Sequence, residues 1–365
     1  MTSSTLVLSK KKQGVRAPSA WKPAYPVPAK PVRVALVGMG YWGPNLLRNF
    51  QDQDHASVSA VVDLDESRLE RVRRKFPGVR TSTDVNSLIQ DDAIDAVVLA
   101  TPVTTHFNLA SRFLKAGKHV MVEKPLAASS RESAGLVALA SKTGRVLMVG
   151  HTFEYNPAVL KVEELLKSKS LGKLHYIDAV RVNLGKHQAD GQNVIWDLAP
   201  HDLSIILKWV GAMPLRLGAW GQSFIKPGVE DVAFIRLEFP GGVLAHIHVS
   251  WLAPAKIRSM TVVASQKMVL YDDLENSEKI KIADRGAHLD MNSSKVRVDY
   301  RLGDIVSPHV DFKEPLHTEC KHFIDSILQR KAPLTDAVNG HRVVRILEAA
   351  SQSLKKGGAM VSLKS

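Results

Sequence analysis

Cysteine is nearly absent. Cys320 is the single one in 365 residues, so no intrachain disulfide can form. That fits a reducing compartment, and a cytoplasmic location is expected. No run of about 18 apolar residues occurs, so no membrane-spanning helix is expected. Acidic residues are missing from residues 1–31, which carry six Lys or Arg and are rich in Pro and Ser. Such a stretch reads as a disordered basic tail. It lacks the apolar core of a secretory signal. Its basic, acid-free character loosely suggests a transit peptide, but it shows no clear amphipathic helix. Aromatic residues make up only 6% of the chain, and they do not interleave with basic ones. With no recognition motif or zinc knuckle either, no nucleic-acid partner is expected, although the net charge is +13. A metal site is not expected. His246 and His248 alternate along "LAHIHVSW" on one strand face, but no third ligand and no H-E-x-x-H accompany them.

What is present is regular. From Val32, apolar runs alternate with amphipathic stretches: "VRVALVG", "PNLLRNF", "VSAVVD", "DESRLERVRRKF", "AIDAVVLATP", "THFNLASRFLKAG", "KHVMVEKP", "SRESAGLVALASKTG" and "RVLMVGH". Strands without a polar face, separated by helices, predict a parallel sheet with right-handed crossovers. After His151 the texture changes to strand pairs joined by Gly-Gly and polar turns, which predict an antiparallel sheet. The organisation expected is a tail at 1–31, a parallel-sheet α/β domain at 32–151 and an α+β domain at 152–365. Closing helices are expected around Pro315–Arg330 and Val338–Lys356, and Cys320 falls in the first as a buried thiol.

"VGMGYWG" places Gly38, Gly40 and Gly43 as G-x-G-x-x-G between the first strand and first helix. The first glycine serves the tight turn, the second lets backbone amides approach a pyrophosphate, and the third lets helix and strand pack closely. Met39, Tyr41 and Trp42 complete the loop. An anion there meets free N–H groups and the positive end of a helix dipole. Asp63 closes the next strand, twenty residues after Gly43. Its carboxylate can accept from an adenosine ribose and would repel a 2′-phosphate, which favours NAD over NADP.

"VMVEKP" ends another strand, so Glu123 and Lys124 reach the same sheet edge. Lys124 can donate to the oxygen that exchanges hydride, or can simply pair with Glu123 as a strand cap. Thr101, Pro102 and His106 follow a further strand end. His106 is either a cofactor contact or a satisfied helix histidine. In "WDLAPHD", Asp197 and His201 lie at i and i+4 on one helix face. There a carboxylate would steady an imidazole that takes a substrate proton. The alternative has Asp197 as an N-cap and His201 packed; Pro200 argues for a helix that starts near Asp197. Asp202 is expected to bond the backbone. Trp196 can stack on a sugar ring or fill the core.

These motifs together resemble the Gfo/Idh/MocA oxidoreductase family: G-x-G-x-x-G, "ATP" with His106, "EKP", and Asp-x-x-x-His, over about residues 32–358. The resemblance implies a Rossmann domain followed by a large open antiparallel sheet, and NAD(P)-dependent oxidation or reduction of a sugar or polyol hydroxyl. It maps the family's lysine onto Lys124, with a Lys–Pro peptide that is often cis, and its Asp-x-x-x-His onto Asp197 and His201. It puts the stretch from His151, including Tyr155 and Asn156, near nicotinamide or substrate. "EYNPAV", "WDLAPHD", "EDVA" and "SW" look most like the branch that oxidises nucleotide sugars, UDP-sugars at C3. Inositol or monosaccharide dehydrogenases are the alternative within the class. An NAD-requiring glycosidase and a non-catalytic cofactor-binding protein are the alternatives outside it. A homodimer or homotetramer is expected, with a small-molecule sugar as partner.

Overall fold

A computed structural model describes residues 30–185, 192–290 and 297–363. The first half runs β1 (Val32–Val37), α1 (Gly43–Gln51), β2 (Ala56–Val62), α2 (Glu66–Lys75), β3 (Arg80–Ser82), α3 (Asn86–Ile89), β4 (Ala96–Leu99), α4 (Val103–Lys115), β5 (His119–Glu123), α5 (Ser130–Thr143) and β6 (Leu147–Gly150). The second runs α6 (Pro157–Lys167), β7 (Leu174–Val182), α7 (Val194–Val210), β8 (Arg216–Gln222), β9 (Val232–Glu238), β10 (Leu244–Ser250), β11 (Ile257–Ala264), β12 (Met268–Asp272), β13 (Ile280–Asp290), β14 (Arg297–Val306), α8 (Pro315–Gln329), α9 (Ala337–Lys355) and β15 (Val361–Ser362).

The first six strands form one parallel sheet in the order β3-β2-β1-β4-β5-β6. β4 is buried along its whole length, as helices on both faces require. Local chemistry fixes the helices. Ser129 accepts from the Glu132 amide while Glu132 accepts from the Ala128 amide, a reciprocal cap that starts α5; Gly144, in the left-handed region, ends it. The strand order reverses between β1 and β4. The connections after β1 and β4 leave towards opposite faces of the sheet, and a crevice for a ligand opens outside the two carboxyl ends.

The second sheet has nine strands in the order β14-β13-β12-β11-β7-β10-β9-β8-β15. Only β7 and β10 pair in parallel; the remaining pairs are antiparallel. Its inner face carries Ile177, Ala179, Ile235, Ile247, Val249 and Val262, which pack with α6, α7 and α9 into one core. Its outer face presents Tyr176, Trp220, Leu244 and Leu270 to solvent, and Phe234 stacks there on Trp220 and His248.

Three features depart from the sequence reading. The antiparallel pairing of β13 with β14 was not anticipated, because charged residues and glycine interrupt the apolar alternation of both strands. α7 begins at Val194 rather than near Asp197: the Asn193 side chain accepts from the Trp196 amide and supplies the cap, so Pro200 lies inside the helix. Asp202 does not bond the backbone. It holds Arg181 through two hydrogen bonds of 2.9 Å. The helix α8 packs on the parallel sheet, where Cys320 is fully buried and Phe323 meets Phe50 edge to face at 6.2 Å. Burial pushes the Cys320 thiol up, which keeps it inert. Among the described residues no helix is long and apolar enough to cross a membrane.

Candidate active site

A cleft of about 1790 Å³ opens at the β1/β4 crevice and extends to the inner face of the second sheet. One small ligand needs about 300–1,000 Å³, so this space suits a dinucleotide together with a substrate.

The glycine loop forms its floor. Gly38 has φ +98, and a Cβ there would lie 2.5 Å from the Ala100 carbonyl oxygen. At Gly43 a Cβ would lie 2.1 Å from the Gly38 carbonyl oxygen. Both are forced by backbone approach. Gly40 is different: the nearest atom to its would-be Cβ is Arg68 Nη1 at 3.9 Å, so its exposed backbone faces the cleft. Asp63 accepts from the Met39 amide at 2.5 Å and from the Asp65 amide at 2.8 Å, with Arg68 at 3.4 Å. Its carboxylate thus braces the loop and still lines the cleft. Tyr41 and Trp42 line it too, whereas Met39 and Gly43 only shape it. Open backbone at Gly40, just ahead of the N-terminal end of α1, and an acid at the end of β2 fit a dinucleotide.

The opposite edge is built from β4, β5 and β6. Thr101 and Pro102 line the cleft. His106 does not. It is buried, and its ring nitrogens lie 2.8 Å from the Thr101 carbonyl and 2.9 Å from the Pro125 carbonyl; burial depresses its pKa, and the neutral ring donates to one of the two. The Lys124–Pro125 peptide is cis. Glu123 is buried against Gly150, and burial lifts its pKa to about 7, opposed by the Lys124 charge.

Lys124 reaches across to α7. Its Nζ donates to the Asp197 carbonyl at 2.7 Å and lies 3.5 Å from Asp197 Oδ1. Asp197 Oδ2 accepts from Trp251 Nε1 at 3.1 Å. One turn on, His201 lines the same cleft, edge-on to Phe153 at 5.0 Å, and its buried Nδ1 has no hydrogen-bond partner, so the expected bracing of this imidazole by the Asp197 carboxylate is not formed: that carboxylate faces Lys124 and Trp251 instead. Burial, then Lys124, Arg181, His151 and Arg258, hold its pKa well below the ordinary value. The imidazole is therefore neutral near pH 7 and able to accept a proton.

The remaining sequence candidates divide. Asn156 lines the cleft, caps α6 through the Ala158 amide, and approaches Tyr271 Oη at 3.3 Å. Tyr155 is buried away from the cleft, bonded to Thr335 at 3.0 Å. Trp196 donates to Ser351 at 2.8 Å and packs against the cores. His151, fully buried with neither ring nitrogen paired, is depressed to about 3 by burial and Lys124. Arg181 and Arg258 also line the cleft, and the sequence reading passed over both. The available signal was an arginine at an inward position of an otherwise alternating strand.

Known proteins share this architecture. The family model described as "Oxidoreductase family, NAD-binding Rossmann fold" matches residues 32–151, and the Gfo/Idh/MocA C-terminal domain model matches residues 159–270. UDP-N-acetylglucosamine 3-dehydrogenase of Acidithiobacillus ferrooxidans is 26% identical over 315 residues, covering 86% of this chain and 94% of that protein. Scyllo-inositol 2-dehydrogenase (NAD(+)) of Bacillus subtilis is 24% identical over 341 residues, covering 89% and 95%. A solved structure of the Acidithiobacillus enzyme superposes with a TM-score of 0.74 at 25% identity, covering 89% of this chain and 98% of that one. With both of its domain models matched in order on a glycine loop, a Glu-Lys-Pro strand end and an Asp-x-x-x-His helix, this chain belongs to the Gfo/Idh/MocA family of NAD-binding oxidoreductases.

Proposed function

We propose that the protein oxidises a hydroxyl of a nucleotide sugar, in the manner of a UDP-sugar 3-dehydrogenase. The observation that carries this reading is that Lys124, just past the end of β5, and His201, on α7, line one cleft with the Gly38–Gly40 loop. The similarity to UDP-N-acetylglucosamine 3-dehydrogenase supports the substrate class.

The glycine loop holds the pyrophosphate of NAD and Asp63 the adenosine ribose. When bound, the nicotinamide accepts the hydride. Lys124 donates a hydrogen bond to the substrate hydroxyl and fixes its oxygen. His201 takes the hydroxyl proton while the carbon gives up its C–H electron pair, so a secondary alcohol becomes a ketone. Asp197 holds Lys124 through its carbonyl and its carboxylate, and thereby its aim.

The test is a substrate screen. Purified protein with NAD is offered UDP-N-acetylglucosamine, related UDP-sugars, myo- and scyllo-inositol and aryl glycosides, with NADH absorbance and product analysis as readouts. Stoichiometric NADH with a UDP-sugar is the expected result. NADH from inositols alone moves the reading to the polyol branch, and glycoside cleavage without net NADH moves it to a glycosidase.

The outer face of the second sheet suits a second copy of the chain, because Trp220, Tyr176 and Leu244 lie exposed together on it. Light scattering is expected to give a dimer or tetramer, and Trp220→Asp with Leu244→Asp is expected to lower the mass. A monodisperse monomer for the unaltered protein would refute this assembly.

A further inference from the structure

Arg181 on β7 and Arg258 on β11 are direct cross-strand partners. Side chains so placed have Cβ atoms about 4.5–5.5 Å apart, and like charges there destabilise a sheet. Both line the cleft on the sheet's inner face. Asp202 offsets Arg181 only in part. It takes Nε and Nη2, while Nη1 is buried with no partner. Arg181 is 3% exposed, and its guanidinium carbon lies over the Phe153 ring, 4.6 Å from the centroid, so burial, Asp202 and the ring together hold its position. Arg258 meets Asp273 only at 3.5 Å. Asp273 is already engaged, accepting from Tyr271 Oη at 3.1 Å and approached by Asn156 at 3.4 Å. Two more cations line this end of the cleft: Lys256, and Lys279, whose Nζ bonds the Asp273 carbonyl at 2.7 Å. The wall therefore carries more positive than negative charge, and one guanidinium nitrogen is desolvated without a hydrogen-bond partner. An unpaired buried donor is costly unless a ligand satisfies it.

We infer that Arg181 and Arg258, with Lys256 and Lys279 at the rim, form a subsite for an oxyanion carried by the substrate. Phe153 touches both Arg181 and the His201 ring, so the anion sits about one sugar ring from the oxidised carbon. The group is a phosphate attached to the sugar or a carboxylate on it, since either oxyanion matches a guanidinium fork. This rests on the dehydrogenase reading for its substrate. The subsite itself is defined by the arginines.

The test compares wild type with R258Q and K256Q, all saturated with NAD so that the dinucleotide site is closed to competitors. Two quantities are measured: pyrophosphate binding by calorimetry, and the ratio of kcat/KM for UDP-N-acetylglucosamine or glucuronate to that for myo-inositol. Loss of one charged hydrogen bond is expected to weaken pyrophosphate binding and lower the ratio about 10- to 100-fold in R258Q. A smaller fall is expected in K256Q, and a fall with added salt in wild type. Whichever of UDP-N-acetylglucosamine and glucuronate loses its advantage identifies phosphate or carboxylate as the source. Equal pyrophosphate binding in wild type and R258Q, or none in wild type, overturns the inference. If no sugar is oxidised at all, the dehydrogenase reading falls, and the calorimetry alone still decides the subsite. R181K checks the buried member: a retained charge with an altered fork is expected to lower the same ratio, and an unaltered ratio and unaltered pyrophosphate affinity count against it.

Discussion

Replacing Lys124 with methionine is expected to lower kcat by about 10²–10⁴-fold while NAD still binds, because the ammonium supplies the hydrogen bond that fixes the reacting oxygen. Methionine keeps the apolar stem and removes only the charge. The Asp197 carbonyl then loses its 2.7 Å donor, so a stability loss of about 1–3 kcal/mol is also expected. His201→Ala removes the proton acceptor and is expected to fall in the same range. The two losses should not add fully, since both groups act on one hydroxyl. The pH profile provides an independent check. Burial and the cations around His201 hold its pKa below 6.5, so protonation of the free enzyme should disable it only at lower pH. The acid limb of kcat/KM is expected below 6.5. An acid limb at or above 6.5, or folded, NAD-binding variants within a few-fold of wild type, would remove these two residues from the chemistry.

The second large effect is steric. Gly43→Ala places a methyl 2.1 Å from the Gly38 carbonyl oxygen and 2.9 Å from Met39 Cε. The first contact is backbone on backbone, so the loop itself has to move. A destabilisation on the order of 3 kcal/mol is expected, with NAD affinity falling at least as far as the loop shifts. Gly40→Ala separates the two consequences. Its Cβ meets nothing closer than 3.9 Å, so the fold is expected to persist while NAD binding weakens. Gly78→Ala, where nothing lies within 4 Å, is the silent control. Thermal unfolding and NADH fluorescence titration read both properties. Wild-type NAD affinity in Gly40→Ala would mean that the pyrophosphate does not lie over this loop.

Much of the first sheet was legible because its signals are local. An apolar run, a glycine turn and a capped helix each announce themselves within a dozen residues, and Asp63 follows from the same unit. The Glu-Lys-Pro strand end could be placed at the cleft because every parallel strand delivers its carboxyl end to one edge. Other candidates could not be decided that way. His106, Tyr155 and Trp196 sit in motifs beside cleft residues, yet their side chains turn to Thr101 and Pro125, to Thr335 and to Ser351. Which way a side chain turns depends on partners that lie from 5 to 180 positions away. The start of α7 was misplaced for a similar reason: a proline alone suggests a first turn, whereas the Asn193 cap and the buried surroundings of Pro200 place it deeper in the helix.

By itself the sequence determined the parallel sheet and its glycine loop and named Lys124 and His201 as candidates, since periodicity, glycine spacing and charge at strand ends are properties of short segments. Only the tertiary structure decided that Lys124 reaches the Asp197 carbonyl, that Asp202 holds Arg181, and that Arg181 faces Arg258 across two strands. Those are pairings between segments brought together by sheet register and helix packing, and register is set by the folded core as a whole.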